Sequence, residues 1–394
     1  MYPFPAATEA ITSHTTALPR FVLIGGFLGA GKTTCIAALA KWLTARGQRC
    51  GLITNDQSEG LVDTALAGAG ESQSAAQAVR QVTGGCFCCK AHDLGRALRE
   101  LEETARPDVF IAEPVGSCTD LVATILLPLK SIYEKTLAAA PMSVVVDSRR
   151  LYDMLLKKVA KGSRQGFSRD VRYIYLKQLE EAEVIVLNKV DLLKSLEMER
   201  LVRKLAKDWP GKQILRISAR TGQGLDQWFS LLAEGPPSTT ERLMEMDYQR
   251  YGTGEALLGW FNARLLLTEG NWELDGNALL EQLALNIQKR LESEGIQIAH
   301  FKMSLSPRRR SGGPDTELAV VNAVRNGSPA ELSRRMVRRV TAGEILINLR
   351  AEGAPEKLEC IVRDEIRGLP MTWADVASFR PGMPEPVYRV TSAN

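Results

Sequence analysis

The stretch that most constrains this chain is Gly25-Gly26-Phe27-Leu28-Gly29-Ala30-Gly31-Lys32-Thr33-Thr34. Its core, Gly26-x-x-x-x-Gly31-Lys32-Thr33, satisfies the phosphate-loop pattern G-x-x-x-x-G-K-[ST]. The flanks supply the required context. Phe21-Val22-Leu23-Ile24 reads as a buried strand, and Thr34 to Ala45 reads as a helix with apolar Ile36, Leu39, Ala40 and Leu43. Successive backbone N–H groups of a glycine-rich loop form a concavity that holds phosphate oxygens. The helix that follows adds unpaired N–H groups and a positive dipole end. Gly26, Gly29, Ala30, Gly31, Lys32, Thr33 and Thr34 are the expected nucleotide contacts. Lys32 is expected to reach the β- and γ-phosphates as a catalytic cation, and Thr33 to ligate Mg²⁺.

Around this loop, residues 19–235 alternate strands and helices. Expected strands are 21–25, 50–54, 109–113, 142–147, 184–188 and 213–217, most of them short Val/Ile/Leu-rich runs suited to burial on both faces. Expected helices include 92–104, 171–181, 196–208 and 224–233. The pattern implies an α/β fold of the P-loop NTPase type, with a mostly parallel sheet and helices on both faces. Gly235-Pro236-Pro237-Ser238-Thr239-Thr240 is a breaker cluster. The expected organisation is a flexible leader at 1–18, the nucleotide domain at 19–235, a linker at 236–244 and a second domain at 245–394. In that second part, Ala256 to Thr268, Ile296 to Leu305, Glu317 to Arg325 and Glu344 to Leu349 read as strands. Asn277 to Glu294 and Pro355 to Arg367 read as helices. The order suggests a small antiparallel α+β domain of ferredoxin-like outline. Ser306 to Pro314, with Arg308, Arg309 and Arg310, reads as a solvated turn, and the Pro-containing tail after Pro370 as irregular.

Composition narrows the partners. The net charge of +4 over 394 residues gives no argument for nucleic acid or an anionic membrane as partner. No apolar run approaches the ~18–20 residues that span a bilayer. The first 18 residues lack the basic and apolar regions of a secretory signal, so a cytoplasmic location is expected. Seven Cys in such a chain do not suggest a disulfide framework.

A second motif selects the base. Val184 to Leu187 runs directly into Asn188-Lys189-Val190-Asp191, the N-K-x-D reader of guanine. A carboxylate at Asp191 can accept from guanine N1–H and the 2-amino group, whereas adenine would leave it unpaired. Asn188 would tie neighbouring loops together, and the Lys189 stem would cover a base face. Ser218-Ala219, after a further strand, would support the guanine carbonyl. For magnesium, Asp56 ends the second strand and Glu113 the third, each placed for direct or water-mediated ligation or for orienting the attacking water. Gly116, in Glu113-Pro114-Val115-Gly116, would let the backbone sense the γ-phosphate.

The third unusual stretch is Gly84-Gly85-Cys86-Phe87-Cys88-Cys89. It lies between Asp56 and Glu113, where a nucleotide-sensitive switch would sit. Thiolates favour Zn²⁺, Co²⁺ and Cu(I). A closed zinc site wants four ligands, and at most three Cys and the nearby His92 stand here, so an open, incomplete or intersubunit site is expected. Buried reduced thiols and a redox pair are the alternatives.

Together these residues resemble the CobW-type GTPases, relatives of the nickel chaperones UreG and HypB. The resemblance rests on Gly25–Thr34, Cys86–Cys89, Glu113–Gly116 and Asn188–Asp191, in that order, and covers about 21–235. It implies GTP hydrolysis with Mg²⁺, a transition metal (Zn²⁺ or Co²⁺, with Ni²⁺ a further candidate) at Cys86, Cys88 and Cys89, and its delivery to a client metalloprotein. Two readings stay open. One is a GTP-dependent metallochaperone or metallocofactor-insertion factor. The other is a GTP-gated assembly or reactivation factor for a corrinoid or other metalloenzyme, in which the cysteines are structural. N-K-x-D argues against a small-molecule kinase. Asn55-Asp56 replaces the usual Asn-Glu, and the usual His-rich loop is missing. No Gln or Arg finger is evident beyond the weak candidates Arg149 and Arg150, so turnover is expected to be slow and to depend on a partner or a homodimer.

Overall fold

The computed structural model describes residues 18–56, 77–133, 136–157, 166–268, 273–308 and 317–391. The first half is an eight-stranded sheet in which every neighbour is parallel. Its strands are β1 (Arg20–Gly25), β2 (Cys50–Asp56), β3 (Gln77–Thr83), β4 (Val109–Glu113), β5 (Ala138–Ala139), β6 (Ser143–Asp147), β7 (Val184–Asn188) and β8 (Gln213–Arg216). The order is β3-β2-β4-β1-β6-β7-β8, with β5 beside β1. The chain leaves β1 to build one side of the sheet, then returns to build the other. The carboxyl end of β1, between β4 and β6, is therefore the topological switch point, where ligands bind in such sheets.

Burial explains the composition of β1. Phe21, Val22, Leu23 and Ile24 are each at most 1% exposed. Phe21 and Leu23 pack in one apolar cluster, and Val22 and Ile24 in another on the opposite face. The second cluster takes Ile36, Leu39 and Leu43 of α1 (Lys32–Thr44), together with Trp228, Phe229 and Leu232. The first takes Leu94, Leu98 and Leu101 of α2 (Ala91–Ala105). Residues 122–133 escaped the helical reading for a physical reason. The π-helical turn Val122–Leu126 is buried on all sides, and α3 (Leu127–Tyr133) continues it, so no amphipathic period marks the segment. The remaining helices here are α4 (Ser148–Leu156), α5 (Arg169–Glu181), α6 (Ser195–Asp208) and α7 (Leu225–Glu234). Asp147 caps α4 by accepting from the Arg150 N–H, 2.9 Å.

The second half opens with α8 (Tyr248–Leu257), so the strand expected from Ala256 starts only at Leu258. An antiparallel sheet follows, with β9 (Leu258–Leu267), β10 (Gln297–Pro307), β11 (Ala319–Ala323), β12 (Glu331–Arg334), β13 (Gly343–Glu352) and β14 (Met371–Phe379) in the order β12-β11-β10-β13-β9-β14. Helix α9 (Gly276–Ser293) joins β9 to β10, and α10 (Pro355–Ile366) joins β13 to β14. The run β14-β9-β13-β10, with these two helices, is the ferredoxin-like arrangement, widened by the β11–β12 hairpin. The irregular tail expected after Pro370 is corrected. Met371 to Phe379 pairs with β9 from Leu267 to Trp260. Pro381, Pro384 and Pro386 all fall beyond this edge strand, where they cost no ladder bonds. Arg309 and Arg310 of the basic turn lie outside the described residues. Among the described residues, no helix is long and apolar enough to cross a membrane.

Candidate nucleotide and cysteine site

The phosphate loop leaves β1 at the switch point and enters α1. Three of its glycines, Gly26, Gly29 and Gly31, have φ of 131°, 73° and 97°. At Gly26 a Cβ would fall 2.1 Å from the Val145 carbonyl oxygen. The N-cap of α1 is Gly31, which has no side chain to cap the first turn, so its N–H groups suit an anion. Buried Lys32 donates from Nζ to the Gly26 carbonyl, 2.8 Å, which folds its ammonium back over the loop. Ala30 is buried, while Thr34 is exposed on α1. The Lys32 ammonium and the uncapped N–H groups at the start of α1 suit a compact anion here.

The expected base-reading residues converge on the same loop. Asn188 is 1% exposed and donates from Nδ2 to the Ala30 carbonyl, 2.9 Å. Its Oδ1 accepts from the N–H groups of Lys189, 2.8 Å, and Ala219, 3.0 Å. One side chain thus ties the end of β7 to the phosphate loop and to the Ser218-Ala219 turn. Lys189, with φ 60°, donates from Nζ to the Gly29 carbonyl and to Asp147 Oδ2, both 2.7 Å. Burial tends to raise the Asp147 carboxyl, but Lys189 and then Arg150 outweigh it and hold it below the usual range. Asp191 is exposed on a short 3₁₀ turn, its carboxylate open to solvent and to a base. Ser218 is fully buried, and its hydroxyl accepts from the Thr221 N–H at 3.3 Å.

On the other side, the Thr33 hydroxyl donates to Glu113 Oε1, 2.9 Å. A hydroxyl and a carboxylate beside the phosphate cradle suit a hard cation that also binds phosphate oxygen. The side chain of Asp56 lies outside the described residues. Gly116 packs against the loop itself, since a Cβ there would meet the Leu28 backbone nitrogen at 3.0 Å and Leu28 Cδ2 at 2.9 Å. Arg149 pairs with Asp153, 2.8 Å, and Glu197, 3.1 Å, on the surface. Arg150 is buried and donates to the carbonyls of Leu28, 2.8 Å, and Ala299, 2.9 Å. It therefore clips the phosphate loop to β10 of the second sheet, a contact invisible in the sequence.

The cysteines form a second centre nearby. Asn55, at the end of β2, accepts from the Phe87 N–H through Oδ1, 2.7 Å, and donates from Nδ2 to the Gly85 carbonyl, 2.7 Å. This clamp holds the turn that groups three sulfurs. Cys86 Sγ lies 2.8 Å from Cys88 Sγ and 3.1 Å from Cys89 Sγ, and Cys88 and Cys89 are 3.9 Å apart. His92 is not in this group; its Nε2 faces the Tyr388 hydroxyl at 3.1 Å. The sequence reading missed a fourth thiol. Fully buried Cys118, two residues past Gly116, lines one cavity with Cys86 and Cys89. The neighbouring thiols, Cys118 first and then Cys88 and Cys89, hold the Cys86 thiol below its ordinary value. The only signal in the sequence was a cysteine in Glu113-Pro114-Val115-Gly116-Ser117-Cys118.

Acidic and tail residues surround the loop that carries Cys118. Glu181, fully buried, accepts from the Leu121 N–H, 2.6 Å, and the Thr119 hydroxyl, 3.1 Å. Burial, and then the Asp120 charge, push its carboxyl up to about 8. Asp120 itself pairs with Arg389, 2.7 Å, and the Tyr248 hydroxyl, 2.7 Å. The last described residues lie along the cluster. The Glu385 N–H donates to Cys89 Sγ, 3.4 Å, and the Val387 N–H to the Cys88 carbonyl, 2.9 Å.

A parallel sheet with a phosphate loop at its switch point, and Asn-Lys-x-Asp at the end of β7, defines a P-loop nucleotide-binding protein of the GTPase type. The chain belongs to the CobW/HypB/UreG family, whose nucleotide-binding domain matches residues 20–216. It is 28% identical over 214 residues to the zinc chaperone CobW of Sinorhizobium sp., covering 51% of this chain and 59% of that one. It is 30% identical over 175 residues to the zinc chaperone YeiR of Escherichia coli, covering 44% and 47% respectively. The chain spans about half the length of the relatives it matches. Among solved structures, the Zn(II)-bound YjiA GTPase from E. coli is 14% identical at a TM-score of 0.36, covering 89% of this chain and 99% of that one. The hydrogenase maturation factor HypB from Archaeoglobus fulgidus is 19% identical at the same TM-score of 0.36, covering 54% and 88%.

Proposed function

We propose that this protein is a GTP-hydrolysing metal switch that carries zinc at Cys86, Cys88 and Cys89 and passes it to a client metalloprotein in the cytoplasm. One observation carries the reading. Asn55 makes the strand end beside Asp56 and the cysteine turn a single hydrogen-bonded unit, through 2.7 Å bonds to Phe87 and Gly85. A displacement of the β2 end on nucleotide binding or loss therefore moves the sulfurs. Lys32 neutralises the phosphates, Thr33 and Glu113 hold Mg²⁺ with Asp56 as a further ligand, and the N–H groups of residues 29–34 cradle the anion. Gly116 brings its loop against Leu28, next to the γ-phosphate position. Asp191 reads guanine, Lys189 braces the phosphate loop, and Ser218 and Ala219 shape the base pocket. An Mg²⁺ ion held by Thr33 and Glu113 would supply electrostatic stabilisation of the charge that develops on the leaving group.

Zinc is favoured by the thiol set and by the names of the relatives. Intrinsic turnover is slow in this reading, because Arg149 and Arg150 are both committed elsewhere. The switch requires the nucleotide states to differ in metal affinity, since a ligand shifts an equilibrium only by its differential affinity. The test is zinc affinity of the purified protein with Mg²⁺-GTP, Mg²⁺-GDP and no nucleotide, for wild type and Cys88→Ser. A difference of about tenfold, or about 1.4 kcal/mol, between nucleotide states and loss of binding in the variant are expected. Equal affinities in all three states would overturn the proposal.

A further inference from the structure

The second sheet brings a cation of its own to the phosphate loop. From the seating of the loop between β11 and β12 we infer that Arg325 is a nucleotide-binding residue, a guanidinium supplied by the second domain to the phosphate chain of the bound guanine nucleotide. The inference deepens the nucleotide reading above and rests on it.

Residues 324–330 connect β11 to β12 and meet the nucleotide site at both ends. At one end, a Cβ on Gly29 would fall 3.2 Å from Val324 Cβ and 2.9 Å from the Ala299 carbonyl oxygen. Val324, the neighbour of Arg325 in the chain, thus lies directly on the phosphate loop. At the other end Glu331 pairs with Arg220, which follows the Ser218-Ala219 turn of the base pocket. The loop is also bonded firmly to its own domain. Gln288 of α9 donates from Nε2 to the Ser328 carbonyl, 2.6 Å, and accepts through Oε1 from the Ala330 N–H, 3.0 Å. Glu292 Oε1 accepts from the Gly327 N–H, 2.8 Å. Asn326 accepts from the Ile298 N–H and donates to the Ile296 carbonyl, both 2.8 Å. Arg325 is therefore carried on a bonded frame that is itself packed on the phosphate loop.

The charges around Arg325 point to an anion. Arg325 is half-buried and makes no ion pair with an acid among the described residues. Its charged neighbours are cations. Burial, and then the charges of Arg150 and Arg325, hold the Lys189 ammonium below its ordinary value against the opposing pull of Asp147. Burial and Arg325 likewise lower Arg150. The Asp147 carboxylate pairs with Lys189 at 2.7 Å and also feels Arg150. A third cation held beside these two costs Coulomb energy that a bound anion would return. An arginine with no ligand would turn into water, where repulsion from its neighbours is screened. Arg325 instead stays close enough for both Lys189 and Arg150 to feel its charge. The phosphate chain of a nucleotide is the anion that the loop beneath is shaped to hold, and a planar guanidinium offers its oxygens two parallel donors.

The test is the affinity of the full-length protein for Mg²⁺-GTP, together with urea unfolding in the absence of nucleotide. In Arg325→Ala the affinity is expected to fall about 10- to 100-fold, the loss of one charge-assisted contact. The nucleotide-free variant should be at least as stable as wild type, because a repelling charge has gone. Arg325→Lys keeps the charge without the planar fork and should recover part of the affinity. Unchanged affinity in Arg325→Ala would overturn the inference. So would a loss of nucleotide-free stability as large as the loss in binding, which marks a purely structural residue, or an Arg325→Lys that binds no tighter than Arg325→Ala. Lys32→Ala separates the two levels. If Lys32→Ala binds Mg²⁺-GTP as tightly as wild type, the phosphate-loop reading itself fails. If Lys32→Ala loses GTP while Arg325→Ala keeps wild-type affinity, only the role of Arg325 fails.

Discussion

Asn188 joins three loops through one buried amide, and Asn188→Ala is the perturbation that should expose how far the site depends on it. The substitution removes the bond to the Ala30 carbonyl at 2.9 Å and the bond from the Ala219 N–H at 3.0 Å, and also frees the Lys189 N–H. Lys189 is half-buried, so its N–H can turn to water. The other two partners face the floor of the cradle and the Ser218 turn. A typical hydrogen bond contributes about 1 kcal/mol net, and a stranded buried partner costs about 1–3 kcal/mol. Two such bonds give an expected loss of roughly 2–4 kcal/mol, shared between folding and nucleotide binding. If it all appeared in binding, GTP affinity would fall roughly 30-fold to nearly a thousandfold at 1.4 kcal/mol per decade. Urea unfolding of the nucleotide-free protein measures the first share, and fluorescence titration with a labelled GTP measures the second. Asn188→Asp divides the cause, because it keeps an acceptor for Ala219 while facing the Ala30 carbonyl with a carboxylate. A summed loss in Asn188→Ala below about 0.5 kcal/mol, the range of an ordinary surface substitution, would refute the claim that this amide holds the loops.

Two further outcomes follow from the surroundings of the Cys118 loop. Glu181 titrates at about 8 when folded, against 4.5 as its ordinary value. Its stabilising contribution is therefore full below about 4.5 and is lost as the pH rises through about 8. Urea unfolding at pH 6 and pH 9 should show wild type losing stability across that span, with Glu181→Gln losing measurably less; parallel losses would contradict the assignment. Removing residues 383–391 deletes the backbone bonds from Val387 to Cys88 and from Val390 to Ala123, both 2.9 Å, and the Arg389–Asp120 pair. Two bonds of about 1 kcal/mol each predict zinc transfer to a chelator faster by about tenfold or more; an unchanged transfer rate would show that the tail does not cover the cluster.

Much of this site was legible because its parts are local. Gly26 to Thr33 encode a loop whose shape depends on consecutive φ angles and on the helix start that follows. Cys86, Cys88 and Cys89 sit within one turn, so their proximity needed no knowledge of the fold. The buried runs at β1, β4, β6 and β7 announced themselves by composition alone. Other features were silent for reasons that can be named. The helix at 127–133 follows a turn that is buried on every side, and β14 is an edge strand between prolines that resembles a loop. The Arg150 clip is a long-range contact: Ala299 comes beside Leu28 only after the second sheet has docked.

What the sequence by itself determined is therefore the local frame of the site: a glycine-rich loop between a strand and a helix, a cation at Lys32, a hydroxyl at Thr33, and the Asn188 and Asp191 pattern proposed to read guanine. Each depends on backbone geometry within a few residues, which residue types encode directly. Only the tertiary structure decided what surrounds the cysteines. The order of the strands carries Cys118 back to Cys86, α8 brings Glu255 to the same cavity, and the docked second sheet returns residues 385–390 to a turn nearly 300 positions earlier. No local pattern encodes these meetings, because they are set by which buried faces must be covered and by which strands pair to cover them.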